Sequence, residues 1–291
     1  MEEIVVTRLE RLDKFLSREL HLSRREVSLM FQENKVFVEG HRAFGKNTYQ
    51  IGALINFERL SVKETTLVPY EFKLDVLHED DMIIVINKPY GLVVHPGHGN
   101  TDKTLVNALI KSVKSLSGIN GEMRPGIVHR LDKTTSGVIV CCKNDTSHRM
   151  LSRAFQDREV LKEYVAIVEG EIKELEGVIN APIKRSKNNP QKMEVSKGGK
   201  EAITEFKVVK RVNGYTYLSV KLITGRTHQI RVHLSYIKHP IVGDSLYGSK
   251  TKASRIMLHA RKVGFISPST KAYVEYICDP PISFSEFLNE K

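Results

Sequence analysis

The sequence predicts a protein of the α+β class, with a small N-terminal α/β domain followed by a larger domain that is built on a central sheet. Residues 8–20 place four leucines at helical spacing. Residues 126–142 hold two β-branched runs that fit buried strands, and Asn213-Gly214 joins two alternating segments as a hairpin turn. The predicted boundaries are residues 1–61 for the first domain, 62–75 for a linker and 76–291 for the second domain.

The first domain is predicted to contain two helices and a small sheet. The helix over residues 8–20 buries its leucines and carries three arginines around them: Arg8, Arg11 and Arg18. Ser23 to Glu26 is a capping-box pattern that contains Arg24 and Arg25 and starts a second helix, ending near Gln32. Asn34 suits a left-handed position after that helix. Residues 36–38 lead into a turn, and residues 53–57 form a closing strand.

The second domain is predicted to alternate strands and helices after a linker that contains a proline and has little periodicity. The predicted strands are residues 82–87, two short runs that flank residues 129–136, and residues 162–168, 206–210 and 215–222. The predicted helices are residues 104–116, 145–155 and a segment that ends near residue 238. Residues 183–201 are rich in lysine and glycine without an apolar period, which predicts a mobile loop that could contact phosphates.

Charge and composition favour a polyanionic partner. The net charge is +11, and residues 1–61 hold 10 Lys/Arg against 9 Asp/Glu, so the excess lies in the larger domain. No apolar run is long enough to predict a membrane span, and the acidic first residues do not predict a signal peptide. The 3 cysteines make no disulfide framework, and Cys141 and Cys142 follow an apolar strand. We therefore expect reduced thiols and a cytoplasmic protein.

The polar residues between the two apolar runs are the strongest candidates for a site. His129-Arg130-Leu131-Asp132-Lys133 cannot be buried without partners, because an unpaired buried charge costs several kcal/mol. The segment should therefore leave the sheet and face a cleft. If it is extended, Arg130 and Asp132 project on one face and His129 and Leu131 on the other. These residues alone fit either a functional site or an ordinary Arg–Asp ion pair at the end of a strand.

Metal and nucleotide chemistries have little support in the sequence. The histidines at positions 228, 233 and 239 lack the spacing of a zinc helix with its glutamate, and no Cys-x-x-Cys occurs. Asp132 followed by three hydroxyl residues lacks the phosphate-binding loop and the second acidic metal ligand that phosphoryl transfer requires. Gly199-Lys200 has no preceding strand and is not a P-loop. We expect neither a metal nor a nucleotide cofactor.

The segment His-Arg-Leu-Asp-x-x-Thr-Ser-Gly, residues 129–137, resembles the catalytic motif of the RluA family of pseudouridine synthases. Five other segments are similar to further motifs of that family and follow its order. They are residues 88–96, 162–170, 224–234, 240–248 and 258–260. The resemblance spans most of residues 76–280 and implies the pseudouridine synthase fold, with a mixed, largely antiparallel central sheet.

The resemblance also implies a reaction and roles for individual residues. A uridine in RNA would be cut from its ribose, turned within the site and rejoined through carbon-5, without a cofactor. Asp132 would be the essential carboxylate, whether it attacks the sugar, attacks the base or removes a sugar proton. By motif position, Arg226 would pair with Asp132 and keep it ionised, and Tyr164 would stack on the uracil and accept or relay the carbon-5 proton. Three residues would contact the substrate: Arg130, which would fill the gap left by the flipped nucleotide, His129 and Lys133.

The first domain resembles the S-four-type RNA-binding domain. Its arginines would contact RNA phosphates: Arg8, Arg11, Arg18, Arg24 and Arg25. This pairing of domains favours large-subunit ribosomal RNA as the substrate, with transfer RNA as the alternative. A non-catalytic RNA-binding or ribosome-assembly factor on the same fold is the second alternative, although binding alone would not require Asp132, Tyr164 and Arg226 together. We expect a monomer that binds RNA and no membrane.

Overall fold

The structure is a computed structural model that describes residues 1–20, 22, 24–59, 67–97, 99–113, 115–119 and 124–289, without the side chains of Arg24 and Arg25. The chain divides into two compact units, Met1–Thr65 and Thr66–Lys291. Each unit has its own cluster of buried apolar side chains. Over the described ranges, no helix is both long and apolar enough to cross a membrane.

The first unit packs two helices against a four-stranded antiparallel sheet with the strand order β1-β4-β2-β3. Its elements are β1 (Glu2–Val5), α1 (Leu12–Glu19), α2 (Arg24–Gln32), β2 (Val36–Val38), β3 (His41–Arg42) and β4 (Leu54–Phe57). The two predicted helices are confirmed, and Asn34 has the predicted left-handed backbone, with φ 55°. Strand β1 was not predicted, because most of its side chains are exposed and show no alternation.

Helix α1 is shorter than the leucine spacing predicts. Leu12 and Leu16 are buried, but Leu9 is 69% exposed and lies before the helix. Arg11 has an extended backbone (φ −59°, ψ 135°) and forms an isolated bridge with Thr48. The helix therefore begins after Arg11, because that residue is already paired with another part of the unit.

The larger unit is built on a nine-stranded mixed sheet with helices packed against it. The strands of this sheet are β5 (Val76–Glu79), β6 (Ile83–Lys88), β7 (Ser136–Cys142), β8 (Leu161–Glu169), β9 (Glu176–Asn180), β12 (Ile203–Val212), β13 (Tyr215–Leu222), β14 (Leu258–Ile266) and β15 (Tyr273–Ile277). Two further strands of the unit, β10 (Ile183–Arg185) and β11 (Met193–Val195), pair with each other in a separate sheet. Its helices are α3 (Leu105–Ser112), α4 (Asp145–Gln156), α5 (Gln229–Tyr236) and α6 (Ser283–Asn289), with a short 3-10 turn at Ser245–Tyr247.

The sheet order is β5-β6-β7-β14-β8-β13-β12-β9, and β15 pairs with β14. Among the strand pairs that the structure describes in this sheet, β7 with β14 is parallel and the others are antiparallel. The predicted mixed, largely antiparallel sheet is therefore confirmed. The hairpin at Asn213-Gly214 is also confirmed, and both residues have positive φ, 49° and 82°, as a tight hairpin turn requires.

Three segments of the larger unit differ from the predictions. Residues 126–128 form no strand, because Gly126 turns with φ 72° and only Ile127 forms an isolated bridge, to Cys141. Residues 183–201 hold the antiparallel pair β10 and β11 instead of an unstructured loop. This pair is held because Ile183 and Ala202 are buried in a cluster with Val232 and Tyr247.

The predicted linker, residues 62–75, is the third difference. Residues 62–66 lie outside the described residues. Residues 67–75 pack on the larger unit, where Leu67, Phe72 and Leu74 contact its core. The side-chain amide of Asn107 in α3 donates a hydrogen bond to the Val68 carbonyl at 2.8 Å. This part of the segment therefore belongs to the larger unit and is not a free linker.

Candidate active site

A cavity of about 470 Å³ opens in the larger unit. Its walls come from five places: the Asp132 loop (residues 128–135), the end of α4 with the turn after it, strand β8, the segment that leads from β13 into α5, and the first residue of β14. The cavity brings together five of the predicted residues, His129, Arg130, Asp132, Tyr164 and Arg226. It also contains His228 and Arg231, to which the sequence analysis assigned no role.

The Asp132 loop is held from both sides. Leu131 is only 4% exposed and anchors the loop in the core. The Asp132 carbonyl accepts a hydrogen bond from the Thr135 amide at 3.1 Å, and the Lys133 carbonyl accepts one from the Gly91 amide at 2.8 Å. These contacts leave the Asp132 side chain 18% exposed at the cavity.

The cation beside Asp132 is Arg231, and the predicted pairing with Arg226 is wrong. An Arg231 guanidinium nitrogen (Nη1) lies 3.6 Å from Asp132 Oδ2. The same guanidinium donates two hydrogen bonds to Asp244, at 2.7 and 2.8 Å, which fix its plane. The Nε of Arg226 instead donates to the Glu201 carbonyl at 2.9 Å, so this side chain lies along the rim of the cavity.

Arg231 lies beside Asp132, and Arg226 does not, because of the residue at which helix α5 begins. Gln229 is the first residue of the helix, and its side-chain oxygen accepts hydrogen bonds from the Arg226 amide and the Thr224 hydroxyl, both at 2.9 Å. Arg226 is therefore in the turn before the helix, whereas Arg231 is on its buried first turn. Both arginines stand in one predicted motif, and sequence alone had no means to place the helix start between them.

Matched substitutions of Arg231 and Arg226 test whether Arg231 is the partner of Asp132. We expect Arg231→Lys to lower kcat by about 100-fold, because lysine keeps the charge but loses the planar fork that contacts both carboxylates. Arg226→Lys should lower it by less than about tenfold, since its guanidinium contacts a carbonyl. Turnover of a uridine-containing RNA checks both values, and melting curves ensure that folded fractions are equal. A larger loss in Arg226→Lys would contradict the assignment.

Tyr164 lies where the motif resemblance predicts, on β8 and facing the cavity. It is 8% exposed, and no hydrogen-bond partner for its hydroxyl occurs within the described ranges. Burial, together with the negative charge of Asp132, raises the pKa of Tyr164 well above its usual range. The side chain is therefore a neutral phenol at physiological pH, and its hydroxyl is available to a ligand.

His129, predicted to contact the substrate, lines the cavity and uses one ring nitrogen within the protein. Its Nε2 accepts a hydrogen bond from the Val140 amide at 3.0 Å, and its ring stacks on Phe155 with 4.6 Å between centroids. Burial lowers the pKa of His129 to about 3, so the ring is neutral. His129 thus ties the Asp132 loop to β7 and forms part of the cavity wall.

The other two predicted substrate contacts of this loop are exposed. Arg130 lies at the cavity and has no ion-pair partner among the described residues. Lys133 does not line the cavity, so any contact it makes with RNA lies outside it. The alternation was predicted for an extended segment, but residues 129–132 form a loop, and all four line the cavity.

A buried polar network supports the start of β7, immediately after the Asp132 loop. Arg255 donates a hydrogen bond to the Ser136 hydroxyl at 2.6 Å, and the hydroxyl lies 2.8 Å from Nδ1 of His259. His259 Nε2 lies 3.0 Å from the Cys278 carbonyl. Burial lowers the pKa of His259 to about 4, so the neutral ring donates from Nε2 and accepts from Ser136. Arg255 was missed in the sequence, because it lies between two of the motifs.

Lys88, like Arg255, is a buried basic residue that supports the Asp132 loop. It is 0% exposed, and its ammonium donates to the carbonyls of Pro89 and Leu92 at 2.8 and 2.9 Å. Burial lowers its pKa to about 7, although the charge of Asp132 acts in the opposite direction. Lys88 therefore closes the turn that holds Gly91 against the Asp132 loop.

Some of the arginines that are predicted to contact RNA in the first unit already form ion pairs within the protein. Arg11 forms an ion pair with Asp13 at 2.6 Å, and Arg18 forms one with Glu19 at 2.9 Å and another with Glu10. Arg8 is exposed, and the side chains of Arg24 and Arg25 lie outside the described residues. Within the described ranges, no group of three or more His, Cys, Asp or Glu side chains could hold a metal ion.

Comparisons with known proteins agree with this geometry. A family model described as RNA pseudouridylate synthase matches residues 82–236. An RNA pseudouridine synthase of Bacillus subtilis (strain 168) is 40% identical over 282 residues, covering 96% of this chain and 93% of the relative. The ribosomal large subunit pseudouridine synthase D of Xylella fastidiosa (strain Temecula1) is 36% identical over 281 residues, covering 91% of this chain and 84% of the relative.

A second enzyme of that name, from Borreliella burgdorferi, is 41% identical over 242 residues, covering 81% of this chain and 74% of the relative. Among solved structures, human RNA pseudouridylate synthase domain containing 1 is similar, with a TM-score of 0.60 and 27% identity. The match covers 72% of this chain and 84% of that chain.

Proposed function

Because this chain belongs to the RNA pseudouridylate synthase family, we propose that the uridines it modifies are in large-subunit ribosomal RNA. The chain is an RNA pseudouridine synthase, which isomerises uridine to pseudouridine. The observation that carries the target is the name of two relatives, ribosomal large subunit pseudouridine synthase D, which match 74% and 84% of their own lengths. A net charge of +11 suits such a polyanion. We also propose a cytoplasmic location, which the unpaired cysteines support.

The roles of the site residues are part of this proposal. In the reaction, the bond from the sugar to the base nitrogen breaks, a bond from the sugar to carbon-5 forms, and the carbon-5 proton moves to the base nitrogen. Asp132 is the carboxylate that acts at the reacting centre. The guanidinium of Arg231, 3.6 Å away, supports this role because it places a fixed positive charge beside the carboxylate in a partly dry cavity.

Tyr164 is proposed to contact the uracil. Its raised pKa argues against a resting phenolate that would accept the carbon-5 proton. A neutral phenol can accept a proton only if it gives its own proton to another group. A role for Tyr164 as a proton relay or as a stacking contact therefore fits better than a role as a base. The position of Tyr164 in the cavity wall and its free hydroxyl support a ring stacked on this side chain.

Arg130 and Arg226 are proposed to contact the RNA around the flipped nucleotide. Arg130 is an exposed cation at the cavity, where a planar guanidinium could occupy the space that the nucleotide leaves. Arg226 also lines the cavity, and a phosphate could replace its contact with the Glu201 carbonyl.

The proposed target predicts a specific loss of pseudouridine. Ribosomal and transfer RNA would be mapped from cells with the gene, without it, and with the gene restored as wild type or as Asp132→Asn. We expect one or more large-subunit sites to be lost on deletion and restored only by the wild-type chain. Loss confined to transfer RNA would contradict the ribosomal target, while the isomerase activity would stand.

We further propose that the first unit is an S-four-type RNA-binding domain that positions the substrate. In the full-length chain, replacing Arg8, Arg24 and Arg25 with glutamine should flatten the slope of log affinity against log salt by roughly 0.7 to 0.9 per lost contact. Replacing the ion-paired Arg11 and Arg18 should change the slope less. Salt-dependent binding to a ribosomal RNA fragment measures both. Equal slopes for the triple variant and the wild type would exclude this role for the three arginines.

A further inference from the structure

His228 has an unusual backbone at the edge of the cavity. It precedes helix α5 with φ 56° and ψ 21°, a left-handed conformation that residues other than glycine rarely adopt. Its side chain makes no capping hydrogen bond to the helix. Instead the ring enters the cavity, 18% exposed, with Nε2 at 3.9 Å from Asp132 Oδ2. This backbone conformation directs the ring into the cavity beside Asp132, which indicates a role beyond ending the turn.

The other ring nitrogen of His228 is held by Tyr247. Nδ1 lies 2.8 Å from the Tyr247 hydroxyl, and that oxygen accepts a hydrogen bond from the Met193 amide at 2.9 Å. Because the amide can only donate, the hydroxyl proton is free to be donated to Nδ1. The neutral ring then carries its own proton on Nε2, the atom that faces Asp132. Tyr247 is 7% exposed, and Arg231 lies over its ring at 4.9 Å, so this partner is itself fixed.

We propose that His228 is a positioning residue of the isomerase, held by Tyr247 as the Nε2–H tautomer, whose ring donates a hydrogen bond to the Asp132 carboxylate when RNA fills the cavity. The separation of 3.9 Å is too long for a hydrogen bond in the free enzyme and closes with a small shift of the loop or ring. Arg231 and His228 then hold the same carboxylate oxygen. The proposal rests on the isomerase activity and not on which RNA is modified.

The surroundings keep this donor neutral. Burial lowers the pKa of His228, and the charges of Arg231 and Arg130 act in the same direction. Asp132 and Asp244 act in the opposite direction. A neutral ring suits the role, because a second positive charge beside Arg231 is not needed to balance Asp132, whereas a directed N–H fixes its orientation.

Two substitutions at His228 test the roles of the two ring nitrogens separately. His228→Asn tolerates the left-handed backbone and reaches Tyr247 but has no donor at the position of Nε2, whereas His228→Gln carries an amide to that position. We expect His228→Asn to lower kcat by about 10- to 100-fold with KM for RNA changed less than about threefold, and His228→Gln to recover most of kcat. The substrate is whichever RNA the wild type modifies, so a wrong target does not affect this test.

Wild-type kcat in His228→Asn would overturn the proposal. Equal losses in both variants, matched by equal losses of melting temperature, would also overturn it by showing a structural role. If His228→Asn fails to fold, the proposal is tested by the kcat of His228→Gln and by a measurement that needs no activity.

That measurement is the tautomer of the ring in the full-length protein labelled with ¹⁵N-histidine, with the His228 signal identified by its absence in His228→Gln. Long-range ¹H–¹⁵N spectra at neutral pH should show a neutral ring with the proton on Nε2. In Tyr247→Phe, both tautomers should appear, because Nδ1 has lost its donor. A ring protonated on Nδ1 alone, a charged ring, or an unchanged spectrum in Tyr247→Phe would each overturn the proposal.

Discussion

Replacing Asp132 with asparagine is expected to lower the rate of isomerisation by at least about 1,000-fold while RNA affinity changes by no more than a few-fold. The amide has nearly the same shape as the carboxylate but cannot act as a nucleophile or a base. Most of the binding free energy should come from lysine and arginine contacts to phosphates, which the substitution leaves in place. Release of tritium from carbon-5-labelled uridine in RNA measures the rate, and filter binding measures the affinity.

A matched control is Asp81→Asn, which removes one negative charge at an exposed position outside the cavity. It should keep the wild-type rate, so that a loss in Asp132→Asn is assigned to the site and not to the change in net charge. Near-normal turnover by Asp132→Asn would exclude Asp132 as the reacting carboxylate.

Among the substitutions proposed for this protein, Gly137→Ala is expected to lower the free energy of unfolding most. Gly137 has φ 113°, and a Cβ atom at this position would lie 2.1 Å from the Ala260 carbonyl oxygen. The obstacle is backbone, because Gly137 is paired with Ala260 in the parallel register of β7 and β14. Neither strand can withdraw without breaking the centre of the sheet. We expect a loss of more than about 3 kcal/mol, seen as a melting temperature lower by about 10 °C or failure to fold.

The control for this substitution is Gly118→Ala. Gly118 has no left-handed backbone, and a Cβ atom there would meet none of the described residues within 4 Å. Its stability should stay within about 0.5 kcal/mol of the wild type. If Gly137→Ala melted at the wild-type temperature, the close approach of β7 to β14 would be incorrect, and with it the placement of the Asp132 loop that precedes β7.

The features that the sequence determined by itself are local. The helix over Arg24–Gln32 and the turn at Asn213-Gly214 are both predicted from runs of a few residues, and the structure contains both. The six motifs identify the family in the same way, because each is a short run of residues in a recognisable order. Asp132 and Tyr164 could be named as site residues for that reason, and the structure places both at one cavity.

The tertiary structure decided which residues meet. Arg231 and Asp132 are far apart in the chain, and the start of α5 selects Arg231 in place of Arg226 as the partner. His129 contacts Val140 and Phe155 because the Asp132 loop folds back on β7, and the hairpin β10–β11 forms because Ile183 and Tyr247 share a buried cluster. These contacts depend on the register of strands and on packing between distant segments, which local sequence patterns do not specify.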